Sequence, residues 1–253
     1  MDEPEEHELA GGNVAGRVVR IGDTVRKPLT PATPAVHGLL AHLAARGSDG
    51  APRAHGVDEA GRQILEHILG SMASERALMT LAELSRVGTL VRLLHDATET
   101  FEAPANAAWD VVIAPDRAEI ICHNDLAPWN LVCNGDRWAF IDWDGAGPGS
   151  RLWDLAYAAQ GFVPLAAGGD PAIDALRLRA LADGYGLCER QREELPALIE
   201  AHTRGMADLL RTSAETGAQP WARLYAEGHA DHWGPAADYI GAHLGAWRRA
   251  LLG

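Results

Sequence analysis

Three short runs rich in apolar and β-branched residues, RVVRIG (17–22), TVRK (24–27) and QILEHIL (63–69), are strand-like and lie in the first seventy residues. Gly22-Asp23 between the first two is a tight-hairpin signal. Between the second and third, PAVHGLLAHLAARG (34–47) shifts to helical spacing and ends on Gly47, a residue suited to a C-cap. From Ser71 the pattern is helical through Phe101, with Leu81, Leu84, Leu90, Leu93 and Leu94 on one repeating face, and His95 near its end reads as a packed or capping side chain. Two short apolar runs, EIICH and WAFID, lie within 119–142, and everything beyond Asp154 reads as helices with short turns, including 175–186 and 194–215. No repeat, low-complexity tract or long linker is evident. The pattern predicts an α+β chain: a small antiparallel sheet lobe with one helix, residues 1–69, and a larger, mostly helical lobe, residues 70–253.

The chemistry concentrates in HNDLAPWN (123–130) and IDWDGAGPG (141–149). Pro128 fixes its own φ and turns Ala127 away from helix, so the piece after Asp125 is a shaped loop that presents Asp125 and Asn130. Leu126, Trp129 and Leu131 are expected to anchor that loop in the core. Asn134-Gly135 is a hairpin turn signal, and a hairpin there returns Asp142 to the neighbourhood of Asn130. A carboxylate beside an amide oxygen suits Mg²⁺ with retained waters and phosphate oxygens, and Asp125, one loop away, is placed to accept a hydroxyl proton. Any one of these residues alone is accounted for by turn capping. Together they point to phosphoryl transfer.

Charge and cysteine content narrow the setting. Lys and Arg number 22 against 35 Asp and Glu, a net charge of −13, which argues against a nucleic-acid partner and is compatible with a cationic small molecule. The acidic start MDEPEEHELA lacks the features of a secretory signal, and no apolar stretch is long enough to span a bilayer, so a cytoplasmic protein without a membrane partner is expected. Cys122, Cys133 and Cys188 show no CxxC spacing and are read as reduced, mostly buried thiols.

HNDLAPWN followed by FIDWDGAGPGSRLWDLAYAA resembles the catalytic loop and metal segment of the aminoglycoside phosphotransferase and choline kinase-like enzymes, relatives of the protein kinases. The resemblance implies a two-lobed protein kinase-like fold with ATP in the cleft. It implies Asp125 as catalytic base, Asn130 and Asp142 as Mg²⁺ ligands, and Asp144 as a second metal contact or an orienting group. His123 then opens the loop as a scaffold residue, and Asp154 holds the loop by hydrogen bonds. LAGGNVAG (9–16) sits where the family has its nucleotide-positioning loop, with backbone N–H groups at Gly11, Gly12 and Asn13 near the phosphates. The phosphate-contacting cation falls at Arg26 or Lys27, with strand alternation favouring Lys27. Backbone at Glu66 to Ile68 matches the hinge that meets the adenine edge. One departure is clear: the helix at 34–47 contains no acidic residue to pair with that cation, and His37 lies near the expected place, which leaves the cation to phosphates alone.

The expected activity is ATP- and Mg²⁺-dependent transfer of the γ-phosphoryl group to a hydroxyl of a small molecule, with an aminoglycoside-type antibiotic as the family-level example. The alternative on the same scaffold is a nucleotide-binding pseudoenzyme or regulatory module. A zinc hydrolase built on His229 and His232 lacks an HExxH pattern. Asp183, Glu227 and Asp231 are candidates for attracting an amine-bearing acceptor, or are solvated helix faces. Oligomeric state is not set by the sequence.

Overall fold

The computed structural model describes residues 5–9 and 16–253, so Gly11, Gly12 and Asn13 lie outside the described residues. Five strands, β1 (His7–Glu8), β2 (Val19–Ile21), β3 (Thr24–Pro28), β4 (Ala54–Val57) and β5 (Arg62–Glu66), form one antiparallel sheet in the order β1-β2-β3-β5-β4. The β2–β3 hairpin turns at Gly22, whose φ of +57° is open to glycine at little cost. The short β1 and the mostly exposed β4 carry no alternating pattern, and the sequence reading omits both. Helix α1 (Thr33–Ala45) buries Val36, Leu39, Leu40 and Leu43, and the chain reverses after Arg46 at Gly47.

The chain leaves this sheet after Glu66, and β6 (Ser71–Met72) already pairs with a strand of the second body. The long helix expected from Ser71 is interrupted there: residues 73–75 form a 3-10 turn, and α2 runs only over Leu81–Thr98. Its start is set by a capping box, in which Thr80 Oγ1 accepts from the Glu83 amide and the Glu83 carboxylate accepts from the Thr80 amide. Leu84, Val87, Val91, Leu94 and His95 form the buried face, whereas Leu81 and Leu93 of the expected face are exposed.

Residues 99–119 then run without helix or strand, a long connection that the apolar pattern does not announce. Strand β7 (Ile120–Cys122) leads into the 123–130 loop, and the hairpin of β8 (Leu131–Asn134) and β9 (Arg137–Phe140) follows, with Gly135 at a φ of +51°. Strand β10 (Gly147–Gly149) pairs back on β7, and a side chain on Gly149 would meet the Cys122 thiol at 2.9 Å, which accounts for the glycine there. Helices α3 (Arg151–Phe162), α4 (Pro171–Tyr185), α5 (Glu189–Thr216), α6 (Trp221–Ala226), α7 (Ala230–Ala242) and α8 (Leu244–Leu252) complete the second lobe. Cys122 and Cys133 are buried, but Cys188 caps α5 and is exposed. No helix of the described residues is long and apolar enough to cross a membrane.

Candidate active site

The loop 123–130 is held from behind by Asp154, which is fully buried on the first turn of α3. Its Oδ2 accepts from the His123 amide at 3.0 Å and its Oδ1 from the Asn124 amide at 2.9 Å. His95 Nε2 adds a third bond at 3.0 Å, and its other ring nitrogen meets the Tyr185 hydroxyl at 2.8 Å. Burial alone would raise Asp154, but the bonds from His95 and the His123 amide hold it below the usual carboxylate range. His95, Cys122 and Asp154 are close enough to share a metal ion. Their polar atoms are already committed, since Asp154 takes three N–H groups and the Cys122 thiol donates to the Ser150 carbonyl.

His123 is locked by two bonds, its Nδ1 accepting from the Asp125 amide at 3.2 Å and its Nε2 donating to the Ile141 carbonyl at 3.0 Å. The ring lies 4.5 Å from that of Trp143, so it shapes the loop and has no nitrogen left to act as a base. Asn124 takes a φ of +62°, a conformation Asn tolerates, and its amide donates to the Gly145 carbonyl. Leu126 and Leu131 are buried as expected, but Trp129 is 47% exposed. The anchoring role given to it is filled instead by Pro128 and Ala127, which lie against α3 at Gly161.

Asn130 donates through Nδ2 to both the Asp125 carbonyl at 3.0 Å and Asp125 Oδ2 at 2.7 Å. The Ile141 amide donates to the Asn130 carbonyl at 2.8 Å, and this bond brings Asp142 beside Asn130. Asp142 itself takes a φ of +61°, uncommon outside glycine and costing on the order of 1 kcal/mol. Asp125 is raised by burial, against the lowering effect of His123 and of bonds from Tyr157 and Asn130. Tyr157 in turn stays a hydroxyl donor, because burial and then the Asp125 charge push it well above its ordinary value.

Lys27 reaches across from β3 to place Nζ 2.5 Å from Asp142 Oδ1 and 2.7 Å from Asp144 Oδ2. Burial would lower its pKa, but the two carboxylates hold it above the usual lysine value. Arg26 points elsewhere, donating to Thr24 Oγ1 and pairing with Asp58 at 3.4 Å. The cation without a helix carboxylate is thus held by Asp142 and Asp144, not left to phosphates. His37 instead lies 3.3 Å from Gln63 Oε1, and Gln63 donates to the Pro28 carbonyl, a hydrogen-bonded link between α1 and the sheet.

Asn130, Asp142 and Asp144 each keep one side-chain oxygen that none of these bonds uses, and hard oxygen donors of this number suit Mg²⁺. Glu66 is differently employed. Its carboxylate takes both Arg137 guanidinium nitrogens, at 2.6 and 3.1 Å, and its amide donates to the Arg53 carbonyl. The His67 amide donates to the Asp23 carbonyl, whereas Ile68 packs with Val132 and Ala139 in a small apolar cluster beside Met72 and Ile141. His232 Nε2 lies 3.1 Å from the Gln160 side-chain amide, and among the described residues His229 and His232 gather no third metal ligand.

A model of the phosphotransferase enzyme family matches residues 9–198. The chain belongs to that family. The fold is kinase-like, as in the solved structures named below, and the family is one of phosphotransferases. It is 35% identical over 205 residues, 73% of its length, to the trifolitoxin immunity protein of Rhizobium leguminosarum bv. trifolii, of which it covers 75%. Two solved structures share the fold: a choline/ethanolamine kinase family protein from Mesorhizobium loti (18% identity, TM-score 0.61, 97% of this chain and 92% of that one) and the amicoumacin kinase hAmiN (10% identity, TM-score 0.67, 94% and 88%).

Two side chains packed near the loop escape the sequence reading, Tyr157 and His202, whereas His95, read as a packed or capping side chain, is buried and bonds Asp154. Tyr157 alone leaves a trace, standing three positions after Asp154 and so on the same face of α3. His202 is a single histidine on a charged, amphipathic helix and has no local signature.

Proposed function

We propose that this phosphotransferase moves the γ-phosphoryl group of ATP, with Mg²⁺, to a hydroxyl of a small molecule. The observation that carries the reading is the convergence of Asp125, Asn130, Asp142 and Lys27, drawn from both lobes onto one point of the cleft. Asp125 faces the acceptor hydroxyl and takes its proton as the acceptor oxygen forms the new bond to phosphorus. The bond from the γ-phosphorus to the bridging oxygen breaks, and its electron pair leaves with ADP. Mg²⁺ held at Asn130 and Asp142, with Asp144 beside them, would neutralise charge on the phosphate oxygens. Lys27 exchanges part of its carboxylate contact for the α- and β-phosphates. The apolar cluster of Ile68, Val132 and Ile141 offers a floor for the base, whose edge would be read by the Ile68 backbone. Gly11, Gly12 and Asn13 are proposed to cover the phosphates, and the boundary between lobes is proposed at 69/70.

Immunity to a toxin is named for the 35% identical relative, so an antibiotic-type acceptor is the role we assign to the reaction, in a cytoplasmic setting. The pseudoenzyme reading drew its support from the missing helix carboxylate. That support weakens because Asp142 and Asp144 position Lys27. Calorimetric titration of ATP with and without Mg²⁺ tests the site: metal-dependent binding lost in Asp142→Ala is expected, and binding indifferent to metal would contradict it.

A further inference from the structure

The chain has 22 basic residues, and all but one of them are arginine. The exception is Lys27. An arginine offers a planar fork suited to one bidentate partner, whereas an ammonium is a compact charge whose three N–H groups can serve three partners in different directions. At Lys27 two of those groups are taken, by Asp142 at 2.5 Å and Asp144 at 2.7 Å, and the third is left for a phosphate. The side chain is buried, and among the described residues no other carboxylate lies within ion-pair distance of it.

The first lobe supplies no anion to this lysine. Helix α1 carries no acidic residue, and Gln63, opposite Lys27 in the β3–β5 register, is fully buried with its amide committed to His37 and the Pro28 carbonyl. The carboxylates arrive from the second lobe, and the two are held differently. Asp142 is set beside Asn130 by the bond from the Ile141 amide to the Asn130 carbonyl. Asp144 sits on the 3-10 turn Trp143–Gly145, and that turn lies against α1, on the side from which a helix carboxylate would reach the cation. The turn is fixed at both ends. Trp143 is buried and donates through Nε1 to the Phe140 carbonyl at 2.8 Å, and the Gly145 carbonyl accepts from the Asn124 side chain at 3.1 Å.

We propose that Asp144 is the positioning residue for Lys27, in the place of the absent helix carboxylate, and that it keeps this contact when Asp142 turns to the metal. This rests on the reading of the site as one for ATP with Mg²⁺. Asp144 then serves the cation and is not a ligand of Mg²⁺, which falls to Asn130 and Asp142. The phosphate-contacting lysine is seated by a rigid turn of the second lobe and needs no movement of α1.

The test uses the full chain labelled with ¹³C at lysine Cε, which gives a single lysine signal because Lys27 is the only lysine. In Asp144→Asn that signal is expected to shift and sharpen, with or without nucleotide, as the ammonium loses a partner. The same variant should bind AMP-PNP with Mg²⁺ about tenfold more weakly by calorimetry, and Asp144→Glu should recover most of that loss. The Mn²⁺ affinity of the AMP-PNP complex, read by electron paramagnetic resonance, should change less than about threefold in Asp144→Asn but fall at least about tenfold in Asp142→Asn. Thermal melts of the variants report folding. The proposal is overturned if Asp144→Asn lowers Mn²⁺ affinity as much as Asp142→Asn does, which would make Asp144 a metal ligand, or if it leaves the Lys27 signal and AMP-PNP binding unchanged. A wild-type chain that binds no AMP-PNP with either metal, while its Lys27 signal still responds to Asp144→Asn, would count against the nucleotide reading and uphold the contact.

Discussion

Asp125 carries two opposed demands. In the proposed role it must be ionised to accept a proton, yet burial raises its pKa. Ionising it therefore costs more in the folded chain than in the unfolded one, so above the folded pKa the carboxylate weakens the fold, and the penalty is relieved as pH falls through that value. Asp125→Asn should melt at a higher temperature than the wild type at pH 7 while losing turnover by about 10²- to 10⁴-fold, measured by calorimetry and ADP release. The acid limb of kcat/KM should lie above the ordinary carboxylate range. His202 makes the complementary case. Burial lowers its pKa from 6.5 to about 4, so the unfolded chain binds a proton that the folded chain refuses between those values. Stability should fall by roughly 3 kcal/mol as pH drops from 6.5 to 4, and His202→Gln should flatten that dependence in urea titrations. A slope unchanged by the substitution would contradict the assignment.

At the scale of elements, the site depends on a close crossing behind it. A side chain on Gly88 of α2 would sit 2.1 Å from the Leu181 carbonyl, and one on Gly184 of α4 would sit 1.9 Å from the Ser85 carbonyl. These obstacles are backbone and cannot swing aside, so α2 and α4 must separate if either position gains a methyl. Gly184→Ala is expected to destabilise by about 3 kcal/mol by chemical denaturation, and a near-neutral result would show that the helices part readily. Because α2 also carries His95, the same variant should perturb the bond that steadies Asp154. This scale also marks where the sequence is legible. The loop 123–130, the hairpin after it and Asp154 lie within one contiguous stretch, and local turn chemistry fixes their mutual placement. The ring contacts of Tyr157 with His202 and Trp233 draw on α3, α5 and α7, and no spacing along the chain announces that three helices meet there. The start of α2 was legible in principle from Thr80 and Glu83, but the apolar run ahead of them masked the cap.

For the whole molecule, the two lobes are tied by contacts on either side of the cleft. Lys27 of the first lobe meets Asp142 and Asp144 of the second, and Arg137 of β9 grips Glu66 of β5 through both guanidinium nitrogens. The Arg137 bonds hold Glu66 below the usual carboxylate range. Removing the Arg137 grip should loosen the seating of the lobes more than the fold of either. Arg137→Ala is expected to raise KM for ATP about tenfold with a smaller change in kcat, a loss of about 1.4 kcal/mol of nucleotide binding. A fall in kcat with KM unchanged would place the pair in the chemistry instead of the hinge.

The fold and the contiguous catalytic loop lead to one central claim, that the convergence at Asp125 transfers phosphate. Its most direct test is ADP release from ATP over a panel of hydroxylated acceptors, with EDTA and Asp125→Ala as controls. Acceptor-stimulated release that disappears with EDTA and falls at least 10²-fold in Asp125→Ala is the predicted result. Release that no acceptor stimulates, at a rate identical in the wild type and Asp125→Ala, would contradict it.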